Sequence, residues 1–411
     1  MSADLAMSRG CVIVGGGQAA LSAAAKLRAL DAAVPITMLS AETTPPYQRP
    51  PLSKKYLSGA MDAETLLLRP LEWYADNAVA LELSTRVVSI DRVGKTVTAA
   101  NGRSFSYGTL LLATGTHARH LPAAMSQGLS GISTLRTDQD ADDKRPLLSA
   151  GKRLVIIGGG YIGLEVAAVA RSMNLDVTVV EAGERILQRV ACEETSDYYR
   201  TLHTSHGVRF LEVQVASGFE GDGGAVSAVI LADGTRLLAD HVLLAIGVEA
   251  QTALASDFGL AVERGVTVDA HCRTTDPAIF AAGDCTQFEF RGAATRLESV
   301  PHAIHQAETA AENMLGFAKP YEATPWFWSD QYDVKLQIAG LNTGYDSIVH
   351  RPGRRAGAQS IWYYKDDALL AVDAMNDAAA FMTARRIIEA GASVPKDVAV
   401  NPSANLKDYL P

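Results

Sequence analysis

Short apolar runs, each followed by a cluster of glycines and a helical pattern, occur twice along the chain. The first is Cys11–Gly17 (CVIVGGG) and the second is Leu154–Gly160 (LVIIGGG). After each cluster comes an Ala-rich segment with apolar positions at helical spacing, and then a β-branched strand, Ile36–Leu39 or Val177–Val180. The pattern predicts a strand, a glycine-rich turn, a helix and a second strand, present twice.

The internal repeat continues further along the chain. Asn-Gly and Asp-Gly pairs, typical of hairpin turns, end at Gly102 and Gly234. Each pair precedes an apolar run that ends in a glycine, at Gly115 or Gly247, and the interval is the same in both halves. Matching order and spacing predict two related dinucleotide-binding domains of the Rossmann type.

The remaining segments add one strand and a third domain. An apolar strand ends at Gly283-Asp284, and a helix is predicted over residues 303–315. From about Tyr321 the apolar and polar positions alternate as in antiparallel strands, and a helical segment follows them. We therefore predict an α/β chain with two Rossmann-like domains and a C-terminal α+β domain.

Composition and charge narrow the class of protein. The chain is 48% hydrophobic and 20% charged, so it can bury large cores, and its formal net charge is −9. An acidic chain without basic runs is a poor binder of nucleic acid or of anionic membranes. No run of about eighteen apolar residues predicts a membrane span, and the N-terminus lacks the pattern of a signal peptide. We expect a cytoplasmic enzyme.

The four cysteines, Cys11, Cys192, Cys272 and Cys285, are far apart and form neither a CxxC pair nor a zinc-binding spacing. They are expected to be reduced thiols, mostly in the core. No metal site is predicted.

The glycine clusters have the spacing that a pyrophosphate requires. Gly15, Gly17 and the small Ala20 form GxGxxA, whereas Gly158, Gly160 and Gly163 form GxGxxG. Such glycines let the backbone approach the pyrophosphate, which binds at the N-terminus of the following helix. Each motif follows a strand and opens a helix, which is the context that supports this interpretation.

Acidic residues after the second strand of each unit indicate which nucleotide binds. Glu181 follows the strand in the second unit, where a carboxylate accepts bonds from ribose hydroxyls and repels a 2′-phosphate, so NADH is expected in preference to NADPH. Arg185 is either a phosphate ligand or a charge at a helix end. The first unit has Ser40 at this place and its acid at Glu42, which indicates a different nucleotide. A flavin together with a nicotinamide is therefore predicted, and Asp284 is a candidate acceptor for a ribityl hydroxyl.

At this level of detail the chain resembles a known family over about residues 10–395. The segments that carry the resemblance occur in the family's order: YQRPPLSK (47–54), LATG (112–115), GGGYIGLE (158–165), AGD (282–284), LESVP (297–301) and PWFWSDQ (325–331). They are similar to the FAD-dependent NADH:ferredoxin reductases of bacterial oxygenase systems, of the putidaredoxin reductase and rhodocoxin reductase type.

The resemblance implies a glutathione-reductase-like fold and an electron-transfer activity. NADH would give a hydride to FAD, and single electrons would pass to a [2Fe–2S] ferredoxin that feeds a cytochrome P-450 or a Rieske-type ring-hydroxylating oxygenase. The implied domains are residues 1–117 with 248–320 for FAD, 118–247 for NADH, and 321–411 as the C-terminal interface domain. A monomer or weak dimer is expected.

The resemblance also assigns site residues. Lys54 would approach the flavin and Glu165 would lie by the nicotinamide, and these two are the candidate catalytic residues. The candidate FAD-binding residues are Gly15, Gly17, Gln18, Ala19, Ala20, Ser40, Glu42, Arg49, Lys54, Val87, Ala113, Thr114, Gly115, Asp284, Glu298, Ser299 and Val300. The candidate NADH-binding residues are Gly158, Gly160, Tyr161, Ile162, Gly163, Glu181, Arg189 and Gly247. Trp326 and Trp328 would lie in the interface domain near the flavin, without contacting it directly.

Some positions depart from the family pattern. The helix after ESVP carries His302 and His305, which could tune the flavin, contact the ferredoxin or simply be helix residues. His203 and His206 are expected on the surface of the second domain. An acidic ferredoxin would need a basic surface, and the candidates for it are Arg291, Arg296, Lys335, Arg385 and Arg386.

Two other functions stay open. Rubredoxin reductases and other reductases of small acceptors have the same architecture, as do slow flavoproteins of the apoptosis-inducing-factor type. The thiol-dependent flavoproteins need a reactive cysteine after the first unit, and the segment from Ser40 to Leu57 contains none. That class is nearly excluded.

Overall fold

The computed structural model describes residues 10–126 and 128–410. The helices are α1 (Gln18–Leu30), α2 (Ala63–Leu66), α3 (Leu71–Asp76), α4 (Ala123–Ser126), α5 (Asp138–Lys144), α6 (Tyr161–Ser172), α7 (Glu193–Ser205), α8 (Ala253–Ser256), α9 (Val300–Met314), α10 (Ala378–Glu389) and α11 (Lys396–Ala399). Short 3₁₀ helices cover Pro50–Ser53, Arg145–Leu147 and Leu406–Tyr409.

The strands follow the alternation of helix and sheet that the sequence predicts. Those before residue 120 are β1 (Cys11–Val14), β2 (Ile36–Leu39), β3 (Val79–Glu82), β4 (Val87–Asp91), β5 (Thr96–Ala99), β6 (Ser104–Ser106), β7 (Thr109–Leu112) and β8 (Thr116–Ala118). The next are β9 (Ile132–Ser133), β10 (Arg153–Ile157), β11 (Asp176–Val180), β12 (Arg209–Leu211), β13 (Ala216–Asp222), β14 (Ala225–Leu231), β15 (Arg236–Leu238), β16 (His241–Leu244) and β17 (Val248–Ala250). The last are β18 (Val266–Thr267), β19 (Ile279–Ala281), β20 (Thr286–Phe290), β21 (Ala293–Thr295), β22 (Trp326–Gln331), β23 (Val334–Gly340), β24 (Ser347–Pro352), β25 (Gln359–Lys365) and β26 (Ala368–Met375).

Two compact units share the chain. The first unit contains the residues up to Gln48 together with Ala63–His117 and Glu249–Pro325. The second contains Arg49–Asp62, Ala118–Val248 and the chain from Trp326 onward. The segment that carries Lys54 therefore belongs to the second unit. The three-domain boundaries given above stay a prediction.

The first unit is built on a five-stranded parallel sheet in the order β19-β7-β1-β2-β3. Both faces of β1 are buried, since Ile13 packs with α1 and α9 while Val12 packs with Leu110 and Ile279. Burial on both faces explains why its strands are continuous apolar runs. Pairing of Val14 with both Leu39 and Leu112 aligns the carboxyl ends of three strands at one edge.

The second unit contains another five-stranded parallel sheet, in the order β12-β11-β10-β16-β9. Ile157 pairs with Val180 and with Leu244, so the carboxyl ends of β10, β11 and β16 are also aligned. The repeat in the sequence is thus a repeat of sheet topology, as predicted.

An antiparallel sheet, β22-β23-β26-β25-β24, completes the second unit. One face packs on α10 through residues such as Trp362 and Phe381. The other face packs on α6 and α7 through Leu164, Tyr199 and Leu336. Because both faces are covered, polar side chains of this sheet that point toward α6 are shielded from water.

Among all described residues, no helix combines the length and apolar character needed to cross a bilayer.

A buried arginine holds the C-terminal segment on this sheet. Arg351 of β24 is 6% exposed, and its guanidinium donates to carbonyl oxygens of the C-terminal segment. The acceptors are the carbonyls of Val398, Ala399, Asn401, Pro402 and Ala404, at 2.5 to 3.3 Å. Burial lowers the pKa of this group, so the carbonyl dipoles must offset the cost of enclosing its charge.

Replacing Arg351 should loosen the C-terminus. For Arg351→Met we expect the free energy of unfolding to fall by about 3 kcal/mol, because several charge-assisted bonds are lost at once. Urea unfolding followed by circular dichroism measures the change. The exposed neighbour Arg354, changed to Met, is the control and should leave the midpoint in place. Equal unfolding midpoints for both variants would contradict the proposal that Arg351 holds the C-terminal segment on the sheet.

Candidate active site

The first glycine-rich turn leaves a helix N-terminus open. Gly15 has φ +147°, and a Cβ there would lie 2.2 Å from the Ala113 carbonyl oxygen, so only glycine fits. Gly17 begins α1 without a side-chain cap, and no atom lies within 4 Å of the place of its Cβ. Free amides and open space at a helix N-terminus suit a phosphate. Gln18, the first residue of the helix, bonds to Ser22, at 3.2 Å.

The aligned strand ends bring the other first-unit candidates to the same edge. Ser40 after β2 is buried, and its hydroxyl accepts from the Glu42 amide at 3.2 Å. The carboxylate of Glu42 accepts from the Tyr47 hydroxyl at 2.5 Å. After β7, Ala113 is buried and the hydroxyl of Thr114 donates to the Gln251 carbonyl at 2.7 Å.

The two remaining candidates beside these strands, Gly115 and Val87, differ in backbone conformation and packing. Gly115 has φ +67°, which favours glycine. Val87, at the start of β4, packs against the core cluster that contains Val14 and Leu39.

Gly283 and Asp284, which come from a later part of the sequence of the first unit, lie at the same edge of the sheet. Gly283 has φ +85°, and its Cβ position lies 3.0 Å from the Cβ of Ala19, so the Gly-Asp turn touches the start of α1 and carries Asp284 there. The side-chain oxygen of Gln306 accepts from the Gly283 amide at 2.8 Å and fixes the turn. Ala20 is fully buried beside it in the core.

The segment before α9 places the last three FAD candidates at a helix start. Ser299 caps α9 by accepting from the His302 amide at 3.3 Å, and Val300 is the first helical residue. Glu298 pairs with Arg296 at 2.9 Å, while Arg296 also donates to the Asp284 carbonyl at 3.1 Å.

The second glycine-rich turn repeats the first. Gly158 has φ +109°, and its Cβ would lie 2.4 Å from the Ala245 carbonyl oxygen. A Cβ on Gly163 would lie 2.3 Å from the Gly158 carbonyl oxygen. The start of α6 can therefore pack this closely on the turn only because residue 163 is glycine. Gly160 begins α6 without a side-chain cap and faces open space. Tyr161 packs its ring on Phe327 at 5.0 Å, and Ile162 is exposed.

Glu181 lies where the sequence analysis places a ribose acceptor. Its carboxylate accepts from the Gly159 amide at 2.6 Å and from the Gly183 amide at 2.7 Å, which anchors it beside the turn. Arg185 instead donates to the carbonyls of Ala191 and Cys192 at 2.9 and 3.1 Å and to Ser196. Of the two interpretations of Arg185, these contacts favour the structural one.

Arg189 and Gly247 also lie together. A guanidinium nitrogen of Arg189 is 3.7 Å from the Cβ position of Gly247, whose φ is +100°. The Gly247 carbonyl accepts from the Arg119 amide at 3.0 Å. The NADH candidates therefore surround the carboxyl ends of β10, β11 and β16.

The two candidate catalytic residues form an ion pair. Lys54 Nζ lies 2.6 Å from Glu165 Oε2, and the side chains are 17% and 2% exposed. Ser53 donates to the same carboxylate at 2.5 Å, and Ser329 donates to its other oxygen at 2.6 Å. Lys54 also donates to the Pro50 carbonyl at 3.2 Å. A buried pair needs such additional bonds to offset the cost of desolvation.

Arg49, at the start of the same segment, donates to the Arg136 carbonyl at 2.8 Å. Its contact is with the second unit, like that of Tyr56, which donates to Asp142 at 2.9 Å. The loop that carries Lys54 is thus anchored on both sides within this unit.

The histidines differ from one another in exposure. His302 is buried, stacks on Phe288 at 5.4 Å and bonds to the Tyr321 hydroxyl at 2.7 Å, and burial lowers its pKa to about 4. His305 on the next turn is exposed. Among the described residues no group of three or more His, Cys, Asp and Glu side chains is arranged to hold a metal ion.

The expectation that His203 lies on the surface is wrong. The side chain is fully buried and bonds to Gln331 at 2.7 Å, while its ring contacts Phe210 and Tyr332. A polar residue in a polar helix looks exposed in sequence, but here the antiparallel sheet covers that face of α7. His206 is exposed, as expected, and stacks on Tyr332 at 3.7 Å.

Four groups that hold the catalytic candidates and the Gly-Asp turn are not predicted from the sequence: Ser53, Ser329, Gln331 and Gln306. The first three lie inside the segments PLSK and WSDQ, so the motifs contained the signal without indicating the partners.

The candidate ferredoxin-binding cations lie in varied surroundings. Arg291 is exposed beside the Phe290 ring, whereas Arg296 is engaged as described above. Arg385 lies over the Trp326 ring at 5.1 Å and pairs with Glu389, and Lys335 and Arg386 are exposed. Trp326 and Trp328 contact each other, with their ring centroids 5.6 Å apart.

The four cysteines are free and buried. Desolvation raises the pKa of each thiol, so none is held as a thiolate.

Comparison with known proteins gives consistent matches over the whole chain. The family model for pyridine nucleotide-disulphide oxidoreductases matches residues 9–307, and the model for the reductase C-terminal domain matches residues 326–410. Putidaredoxin reductase CamA of Pseudomonas putida is 40% identical, with 97% of this chain and 96% of that protein covered. Rhodocoxin reductase of Rhodococcus erythropolis is 39% identical, with 96% and 93% covered.

A solved structure is equally similar. The reductase in the covalent putidaredoxin reductase–putidaredoxin complex superimposes with a TM-score of 0.93 and 39% identity, covering 97% of each chain.

Proposed function

Because the chain belongs to the pyridine nucleotide-disulphide oxidoreductases, and within them to the ferredoxin reductases of the putidaredoxin and rhodocoxin reductase type, we propose that it is an NADH:ferredoxin reductase. It transfers electrons from NADH through FAD to a [2Fe–2S] ferredoxin, which supplies a cytochrome P-450 or Rieske-type oxygenase. Bound FAD supplies the conversion of a two-electron hydride transfer into single-electron steps. The buried pair of Lys54 and Glu165, one turn into the helix that begins at the second glycine cluster, carries this assignment.

The residues of the first unit fit FAD. The uncapped amides of α1 at Gly17 would hold its pyrophosphate, and Glu42 would hold its adenosine ribose. Asp284, brought to the start of α1 by its glycine turn, would accept from a ribityl hydroxyl. Ser299 and Val300 would offer their backbone at the start of α9. The remaining first-unit candidates are proposed to line this site, and they are Gly15, Gln18, Ala19, Ala20, Ser40, Val87, Ala113, Thr114, Gly115 and Glu298.

The residues of the second unit fit NADH. The amides at the start of α6 would hold the pyrophosphate, and Glu181, already oriented by two backbone amides, would accept from the ribose hydroxyls. A carboxylate keeps free lone pairs after accepting two bonds, so this role remains open to it. Arg185, which could have bound a 2′-phosphate, donates elsewhere. We therefore propose a preference for NADH.

Lys54 and Glu165 have complementary tasks in this proposal. Lys54 would present a positive charge to the flavin, where it stabilises negative charge that develops during hydride transfer. Glu165 holds that ammonium in place through the 2.6 Å contact and would orient the nicotinamide carboxamide. Because both side chains are largely shielded from water, their electrostatic effects are stronger than at a surface.

The test is an anaerobic titration of the FAD-loaded protein with NADH and, separately, NADPH. We expect NADH to bleach the visible flavin spectrum rapidly and NADPH to do so at least tenfold more slowly. Adding a [2Fe–2S] ferredoxin and cytochrome c should then give sustained turnover. Turnover with rubredoxin alone would favour a rubredoxin reductase, and stalled reduction would favour a slow flavoprotein. Flavin that ignores both nucleotides would overturn the proposal.

We also propose a cytoplasmic location, since NADH is a cytoplasmic reductant and the four cysteines are unpaired. The monomeric or weakly dimeric state stays a prediction.

A further inference from the structure

We propose that a chain of buried hydrogen bonds positions the carboxylate of Glu165, with Ser329, Gln331 and His203 as its positioning residues. The chain lies wholly within the second unit and joins α6, β22 and α7. The inference rests on the proposed function, because it concerns the site at which Glu165 acts. It adds three residues that hold this carboxylate, either directly or through a neighbouring side chain.

The contacts form one unbranched series. Ser329 Oγ lies 2.6 Å from Glu165 Oε1, and Gln331 Nε2 lies 3.1 Å from Ser329 Oγ. Gln331 Oε1 lies 2.7 Å from His203 Nε2. The Tyr332 hydroxyl, at 3.3 Å from His203 Nδ1, ends the series. Glu165 is 2% exposed, Gln331 is 1% exposed, and Ser329 and His203 are at 0%.

The sequence of β22 explains why these groups meet. Side chains two residues apart on a strand point to the same face, and Ser329 and Gln331 are the buried pair of this strand. The sheet face that carries them packs on α6 and α7. The pair therefore spans the distance between Glu165 on one helix and His203 on the other.

The direction of every bond follows from the charge of Glu165. A carboxylate only accepts, so the Ser329 hydroxyl must donate to it and can only accept from Gln331. Gln331 must then present its NH₂ group to Ser329 and its oxygen to His203. An oxygen can only accept, so His203 must carry its proton on Nε2.

The state of His203 agrees with this direction. Burial is the main cause that lowers its pKa to about 4, with a smaller opposing contribution from the bond to Gln331. The ring is therefore neutral at pH 7 and has a single N–H, which it uses toward Gln331. Its other nitrogen is then free to accept from Tyr332. Reversing the series would point a lone pair of Ser329 at the carboxylate.

The side-chain amide of Gln331 determines whether the series can conduct protons. A hydroxyl or an imidazole can pass a proton along a hydrogen bond, but an amide does so only through an unfavourable imidic form. Gln331 therefore interrupts proton conduction while it transmits orientation. The series supplies a fixed donor to Glu165, so that the carboxylate stays aimed at Lys54.

Other titratable groups surround the two ends of the series. Near Glu165 these are Lys54 of the Pro-rich segment and the phenols of Tyr161 and Tyr199. Near His203 they are His206, which directly follows the same helix, and Tyr332, which follows β22. Burial raises the pKa of Tyr161 and Tyr199 well above the usual value, so they stay neutral over the working pH range.

The first test removes the donor that contacts Glu165. In Ser329→Ala we expect flavin reduction by NADH at pH 7 to slow roughly tenfold, because one hydrogen bond to a charged group is lost. The dissociation constant for NADH, obtained from the dependence of that rate on NADH concentration, should change less than about twofold, because Ser329 orients Glu165 and is not a proposed ligand of the nucleotide. Ser360→Ala is the matched control, since Ser360 is equally buried in the same sheet and its hydroxyl accepts from the Trp362 indole, away from Glu165. Equal reduction rates for the two variants would overturn the proposal.

The second test separates positioning from packing at His203. His203→Phe keeps a ring but loses the N–H, and we expect a roughly threefold slower reduction without a matching loss of NADH affinity. His203→Gln restores an N–H donor and should recover most of the rate. If both variants behave alike, the ring acts through packing only and the proposal fails.

The third test needs no variant and no turnover. In the FAD-loaded protein labelled with ¹⁵N-histidine, the resonances of His203, assigned by their loss in His203→Gln, should show a neutral ring protonated on Nε2 down to about pH 5. Protonation on Nδ1 would reverse the series and overturn the inference. If the unaltered protein shows this tautomer but NADH does not reduce it, the proposed function fails by itself.

Discussion

Reduction of the bound flavin by NADH should slow by roughly 100-fold in Lys54→Met, because the variant removes a preorganised charge from a site shielded from water. FAD should remain bound, since the proposed ligands of its pyrophosphate and ribose lie elsewhere. Anaerobic stopped-flow absorbance measures the reduction step directly. The matched control is Lys55→Met, because Lys55 is adjacent and exposed, and its reduction rate should be unchanged.

The same variant has a consequence for stability that a second variant separates from catalysis. Lys54→Met leaves Glu165 buried and without its cation, which should lower the free energy of unfolding by about 3 kcal/mol. The double variant Lys54→Met/Glu165→Gln removes both charges and should regain most of that stability. It should still reduce slowly, because no charge faces the flavin. A double variant that reduced at the normal rate would contradict the catalytic assignment of Lys54.

Discrimination between NADH and NADPH should collapse in Glu181→Ala. We expect kcat/KM for NADH to fall at least tenfold, because two bonds from ribose hydroxyls to a charged acceptor are lost. The value for NADPH should rise, since the repulsion of a 2′-phosphate disappears. The ratio of the two, measured under steady-state conditions with a ferredoxin acceptor, should move by roughly 100-fold toward NADPH.

The contacts of Glu181 determine which control variants this experiment needs. Glu181 also accepts from the amides of Gly159 and Gly183, so its loss disturbs the glycine turn itself. Glu181→Gln keeps an acceptor oxygen but removes the charge, and should relax discrimination while weakening NADH less. Glu184→Ala changes a nearby exposed carboxylate and should leave the ratio in place. A ratio that did not move in either Glu181 variant would exclude the ribose assignment.

Much of the fold was predictable because its signals are local. Ile36–Leu39 is a strand with the predicted bounds, and the predicted helix over 303–315 is observed as Val300–Met314. The glycines of both turns were recognisable because each answers a local steric demand, such as the close carbonyl beside Gly158. The family and the α/β class, both carried by such motifs, are confirmed.

The candidate site was predictable only in part. Sequence motifs indicated Lys54 and Glu165 as important, but nothing local states that they touch each other. The Lys54 segment was expected with the FAD-binding residues, whereas its contacts group it with the second unit. Its anchors, such as Arg136 and Asp142, lie far along the chain.

The amino-acid order alone determined the two glycine-rich turns, the position of the acidic residue proposed to select the nicotinamide nucleotide and the lack of a CxxC pair, because each depends on residues that are neighbours in the chain. Tertiary structure alone decided which groups surround the buried carboxylate of Glu165. A charge enclosed in a protein must be satisfied by whatever donors the fold brings within about 3 Å. Those donors, Ser53, Ser329 and through it Gln331, come from segments more than a hundred residues away, and such a meeting leaves no periodicity in the sequence.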